Sequence, residues 1–117
     1  MEWHDEQVML PAQPENVSVR IHGSFKDKEA SLTATITHED LKWTMTIFEK
    51  RIDDEDIEPE ILHQRFTNKI NKLKKMNFIS LLVNFGIDDE VRRRLTELSL
   101  DSLKANQTSK NHQTRHQ

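Results

Sequence analysis

Cysteine and tyrosine are missing from this chain, and glycine occurs only twice, at Gly23 and Gly86. Without cysteine there is no disulfide, no thiol nucleophile and no cysteine-ligated zinc. Two isolated glycines cannot write a P-loop or a dinucleotide-binding fingerprint, both of which need glycine where backbone approaches phosphate. No run comes near the roughly 20 apolar residues that a bilayer-spanning helix requires. The start, "MEWHDEQVML", is acidic where a secretory leader would be basic, and its apolar run is short. The expectation is a cytoplasmic or nuclear protein.

Apolar residues are also sparse. They make up 34% of the 117 residues, against roughly 45–50% in typical globular domains. Leu, Ile, Val and Phe still supply about a quarter of the chain, above the roughly 20% below which chains stay disordered. One domain with a lean core follows, and a lean core makes assembly with another chain the natural expectation. The formal net charge of −3 argues against generalised attraction to nucleic acid or anionic membrane, which rests on Lys and Arg meeting phosphates.

What is present is alternation. In "NVSVRIHGSF" Val17, Val19, Ile21 and Phe25 alternate with Ser18, Arg20, His22 and Ser24, the period of a strand with one dry face. "LTATITHEDLKWTMTIF" repeats the pattern twice across a tight connection at "HED". Pairing His38 with Leu41 sets Ile36 against Trp43, Ala34 against Met45 and Leu32 against Ile47, with Thr35 opposite Thr44 and Thr33 opposite Thr46. Apolar residues then meet apolar ones and threonines meet threonines, so the register is well specified. Setting Ile21 against Ala34 and Val19 against Ile36 adds the first strand. His22 then faces Thr33.

A three-stranded meander with an apolar face needs a cover. Leu62, Phe66, Ile70 and Leu73 recur at helical spacing across residues 60–76, after Pro59 and an acidic run, with lysines in the last turn. A second helix begins at Asp88 as N-cap and carries Val91, Leu95, Leu98 and Leu103 as its stripe. Residues 77–86, "NFISLLVNFG", fit either a fourth strand, through Ile79, Leu81, Val83 and Phe85, or a buried helix, and the strand is slightly preferred. The expected fold class is α+β, with a three-stranded antiparallel meander, or four strands, covered on one face by two helices. Residues 1–15 read as an arm, 16–104 as the domain and 105–117 as a disordered polar tail.

No catalytic constellation appears, and an enzyme is not expected. Six histidines lack the convergence zinc demands. His112 and His116 have helical spacing but fall in the polar tail. The cluster Asp53, Asp54, Glu55, Asp56, Glu58 and Glu60 lacks the spacing and central glycine of a calcium loop and reads as a helix entry. No catalytic, cofactor-binding or metal-binding residue is assigned.

The expected function is a non-catalytic protein–protein interaction or adaptor module, open to self-association, working through a sheet edge and the polar sheet face. Its expected contact residues are Trp3, Arg20, His22, Thr35, Thr44 and Phe48. Strict alternation puts Phe48 on the threonine face unless a bulge redirects it. Trp3 either joins it as an interface aromatic or folds back over it. The alternative is nucleic-acid binding through Lys69, Lys72, Lys74, Lys75, Arg92, Arg93 and Arg94, with no aromatic platform evident beside them.

Overall fold

The computed structural model describes residues 2–26, 28–51, 57–85 and 87–115, with side chains as far as Lys104. The acidic residues Asp53, Asp54, Glu55 and Asp56, along with Gly86 and His116, lie outside the described residues, as does the side chain of His112.

Four strands, β1 (Glu2–Val8), β2 (Val17–Lys26), β3 (Glu29–His38) and β4 (Leu41–Arg51), pair antiparallel in chain order. Three helices follow: α1 (Pro59–Lys74), α2 (Phe78–Asn84) and α3 (Asp89–Arg115). The architecture is α+β. The sheet is an open meander whose apolar face is covered by the helices and whose polar face, among the described residues, is not.

The central register is the one the apolar pattern dictates, except that Leu32 meets Phe48 and not the expected Ile47, because β4 carries one inserted residue there. Val19 pairs with Ile36 and Ile21 with Ala34 across β2 and β3. Ile36 pairs with Trp43, Ala34 with Met45 and Thr33 with Thr46 across β3 and β4. Val19, Ile21, Leu32, Ala34 and Ile36 are wholly buried. The β3–β4 turn holds Glu39 at φ +55°, a left-handed conformation that costs a residue bearing a Cβ about 1–2 kcal/mol.

Helix α1 lies across β2, β3 and β4. Leu62, Phe66, Ile70 and Leu73 form its buried stripe, Pro59 occupies its first turn, and Lys72 and Lys74 close its last. It sits close to the sheet. A Cβ on Gly23 would come within 2.8 Å of the Phe66 ring, so glycine at this position of β2 is what admits the aromatic side chain.

Three expectations are corrected. The fourth strand comes from the supposed N-terminal arm, as β1, and not from residues 77–86. Those residues form α2, where Phe78, Leu81 and Leu82 are buried while Val83 is 57% exposed. Asn77 caps α2 by accepting from the Ile79 N–H at 2.8 Å; an Asn before an apolar run was the available sign. The cover is therefore three helices rather than two.

Asp88 caps α3 as expected, accepting from the Glu90 N–H at 2.9 Å. Leu95 is buried and Val91 and Leu98 pack against the core, but Leu103 is 44% exposed. Ser99 takes the inward place instead. Its hydroxyl donates to the Ala12 carbonyl at 2.6 Å. The Phe78 N–H donates to the neighbouring Pro11 carbonyl at 2.9 Å, and the Gln13 side chain braces Leu10 and Val17. The β1–β2 loop thus fastens α2 and α3 to the sheet. The backbone of α3 is helical as far as Arg115, through residues 105–115 that composition assigns to the polar tail.

Among the described residues no helix is long and apolar enough to cross a membrane.

Candidate functional site

The uncovered face is built by strand parity. Residues opposite one another in the ladder share a face, so Trp3, Asp5 and Gln7 of β1 stand beside Ser24, His22 and Arg20 of β2. Arg20 and His22 stand beside Thr35 and Thr33 of β3, and these beside Thr44 and Thr46 of β4. Five of the six expected contact residues, Trp3, Arg20, His22, Thr35 and Thr44, therefore share one surface.

Trp3 is 62% exposed, and its ring centroid lies 5.6 Å from that of His22. Arg20 donates to Asp5 at 2.8 Å. That hydrogen bond, with the guanidinium charge behind it, holds the Asp5 carboxyl below its ordinary range. The Thr35 and Thr44 hydroxyls are 3.0 Å apart, and the Thr33 hydroxyl donates to the His22 carbonyl at 3.3 Å.

Phe48 is elsewhere. The register slips by one between Leu32 and Thr33, so that Thr33 faces Thr46 while Leu32 faces Phe48. Ile47 is the extra residue of a β-bulge. The bulge keeps Ile47 buried and turns Phe48 onto the helix side, half-buried against the core. It lines an open groove of about 290 Å³ with Arg65, Asn68, Lys69 and Lys72. Trp3, on the other face, neither covers Phe48 nor joins it.

The two sheet edges differ in chemistry. The helix-facing row of β1 is Glu2, His4 and Glu6, and each is paired. Glu2 accepts from His63 of α1 at 2.7 Å, and Glu6 meets His4 at 2.9 Å and Lys74 at 3.1 Å. The Lys74 hydrogen bond lowers the Glu6 pKa, with His4 adding to the shift. The helix-facing row of β4 is apolar and incompletely covered. Leu41 is 41% exposed and Trp43 half-buried. Together with Val91, Arg93 and Arg94 they line another open groove, of about 540 Å³, beside the first turns of α3. On the open-face row of β4, Lys42 and Glu49 are exposed, and neither has an ion-pair partner among the described residues.

The basic residues of the alternative reading are divided. Lys69 and Lys72 line the Phe48 groove, Lys74 is held by Glu6, and Lys75 follows the last turn of α1. Arg92 is held by Asp89 at 2.7 Å, while Arg93 and Arg94 share their groove with Glu90 and Glu97. Against the sequence reading, aromatic rings do accompany the lysines: Phe48 shares their groove, and the Lys69 ammonium lies 6.0 Å from the Phe85 ring centroid.

Among the described residues no group of three or more His, Asp or Glu is placed to hold a metal ion. Among the described residues the surface is one of fixed hydrogen-bonding groups and an exposed indole, bounded by two strand edges of different chemistry. Sequence reasoning missed the β1 seam and the charges of β4. The seam carries no apolar period, and the β4 charges resemble ordinary solvated polarity until the strand is known to be an edge.

The fold and site together define an open-faced α+β sheet. Comparison with protein-family models, with curated proteins and with solved structures finds no match to this chain.

Proposed function

We infer that the protein is a non-catalytic interaction module that binds another polypeptide through the β4 edge and the adjoining open sheet face. One observation carries this reading: β4 is a terminal strand whose outer backbone has no strand partner among the described residues and whose side-chain row includes exposed Leu41 and half-buried Trp43. An unpaired edge with adjacent apolar pockets is the requirement for strand addition, in which backbone bonds give affinity and pockets give specificity. Trp3, His22, Arg20, Thr35 and Thr44 extend the surface across the sheet. A cytoplasmic or nuclear setting is part of this proposal.

Affinity capture with the tagged chain tests it, using wild type, Trp3→Ala/Arg20→Ala on the face and Lys42→Glu on the edge. Bound polypeptides, untagged copies of the chain included, should be lost in at least one variant. A bound set identical across all three would remove this surface from consideration.

A second reading has its own observation, Phe48 beside Arg65, Lys69 and Lys72, since an aromatic among cations can stack a base while the cations hold phosphate. It predicts binding of single-stranded oligonucleotide that weakens steeply with salt. A fluorescence-anisotropy titration with no change up to roughly 50 µM chain would dismiss it.

A further inference from the structure

We propose that the occupant of the β4 edge is a second copy of this chain, paired antiparallel with β4 about a two-fold axis through Met45. The inference rests on the reading of β4 as an interaction edge and names the partner.

Its basis is the order of residues along the strand. When Ile47 is passed over, as it is against β3, the two-fold sets Met45 against its own copy, Thr44 against Thr46, Trp43 against Phe48, and Lys42 against Glu49. Lys42, Thr44, Thr46 and Glu49 belong to the open face; Trp43, Met45 and Phe48 belong to the helix side. Every pair joins residues of one face, as antiparallel pairing demands. Leu41 then stands against Lys50 on the helix side, and Asp40 of the β3–β4 turn lies toward Arg51, which in its own copy also holds Glu29 at 3.2 Å.

The charges choose the register. Sliding the copies by two residues one way sets Lys42 against Arg51; sliding the other way sets Lys42 against Thr46 and brings Asp40 of the turn to Glu49. Like charges directly opposite are destabilising and opposite charges favourable, so both slips are penalised where the central register is rewarded, and symmetry doubles each effect. Lys42 and Glu49 are exposed and lack ion-pair partners among the described residues; the second copy supplies one for each.

A bulged edge discourages a regular partner strand. A second copy carries the same bulge at the symmetry-related place. The rotation also lays the Leu41 and Trp43 groove toward the Phe48 groove of the second copy, bringing together the half-covered apolar side chains of the edge.

Charge reversal tests the proposal. Sedimentation velocity of the wild-type chain at roughly 100 µM should show twice the 13.8 kDa chain mass. Lys42→Glu and Glu49→Lys should each raise the dissociation constant about tenfold or more, and the double reversal should return it to within about threefold of wild type. Both sites are exposed, so thermal melts and far-UV circular dichroism should match wild type and exclude misfolding. A monomer at roughly 1 mM overturns the proposal. So does a dimer indifferent to either reversal, or a double reversal no tighter than the singles. A monomeric wild type whose Lys42→Glu variant loses a heterologous partner in capture also overturns it, yet leaves the interaction-edge reading standing; loss of both sinks the two together.

Discussion

The two edges of the sheet solve the same problem in opposite ways. β1 ends the sheet with charged residues turned inward, Glu2, His4 and Glu6, each satisfied within the chain by His63 or Lys74 of α1 or by one another. Inward-pointing charge is a recognised means of closing an edge to foreign strands. β4 ends the sheet with Leu41, Trp43, Met45, Ile47 and Phe48 toward the helices, and with Lys42 and Glu49 outward and unpaired among the described residues. Among the described residues the inward charges of β1 are satisfied by their own chain, whereas Lys42 and Glu49 of β4 have no ion-pair partner. The difference favours β4 as the edge of the proposed interaction surface, where the polarity of the open face, which runs under both edges, favours neither.

The contrast can be broken most forcefully from the β1 side. Gly23→Val places a branched side chain where even a Cβ lies 2.8 Å from Phe66. Such overpacking costs about 1–3 kcal/mol or more, and urea denaturation should register it. Native-state hydrogen exchange should rise in α1 and β1 before β4; uniform acceleration would mean that the edges are not held separately. Ser99→Ala should follow, at about 1–3 kcal/mol, because it leaves the Ala12 carbonyl without its donor. A melt within error of wild type would show that water replaces the hydroxyl.

Acid should discriminate the edges more gently. Asp5 and Glu6 are both lowered in the folded state, by Arg20 and Lys74 respectively. A carboxylate with a depressed folded pKa adds stability that is fully present above its unfolded value and is lost as pH falls through the folded one. Between the ordinary values of 3.8 and 4.5 and lower pH, proteolysis or exchange at β1 should quicken while β4 amides keep their relative protection. Glu6→Gln should flatten part of that dependence, and an unchanged profile would show that the Lys74 contact is not retained in solution. The smallest effect is expected at the turn that leads into β4. Glu39→Gly relieves a left-handed residue at φ +55° and should stabilise by about 0.5–1 kcal/mol, read as a small rise in Tm; a fall would mean the glycine's unfolded-state entropy outweighs the relieved strain.

Legibility followed the apolar period. β2, β3, most of β4 and the α1 stripe could be read directly because buried residues recur at 2.0 or 3.6. β1 could not, because its inward row is Glu2, His4 and Glu6, and only Val8 is an apolar member of that row. α2 could not be told from a strand because its seven residues satisfy both periods. Phe48 could be placed on neither face from alternation, since one inserted residue reverses everything after it.

By itself the sequence determined the pairing of the central strands, the buried stripe of α1 and the absence of cysteine and glycine-rich chemistry, because each depends on residue type and local spacing. Only the tertiary structure decided which strands would be edges, where Phe48 would turn, and that β1 would exist at all. Those outcomes depend on partners distant in the chain, such as His63 for Glu2 and Ala12 for Ser99, and no local period records a partner that far away.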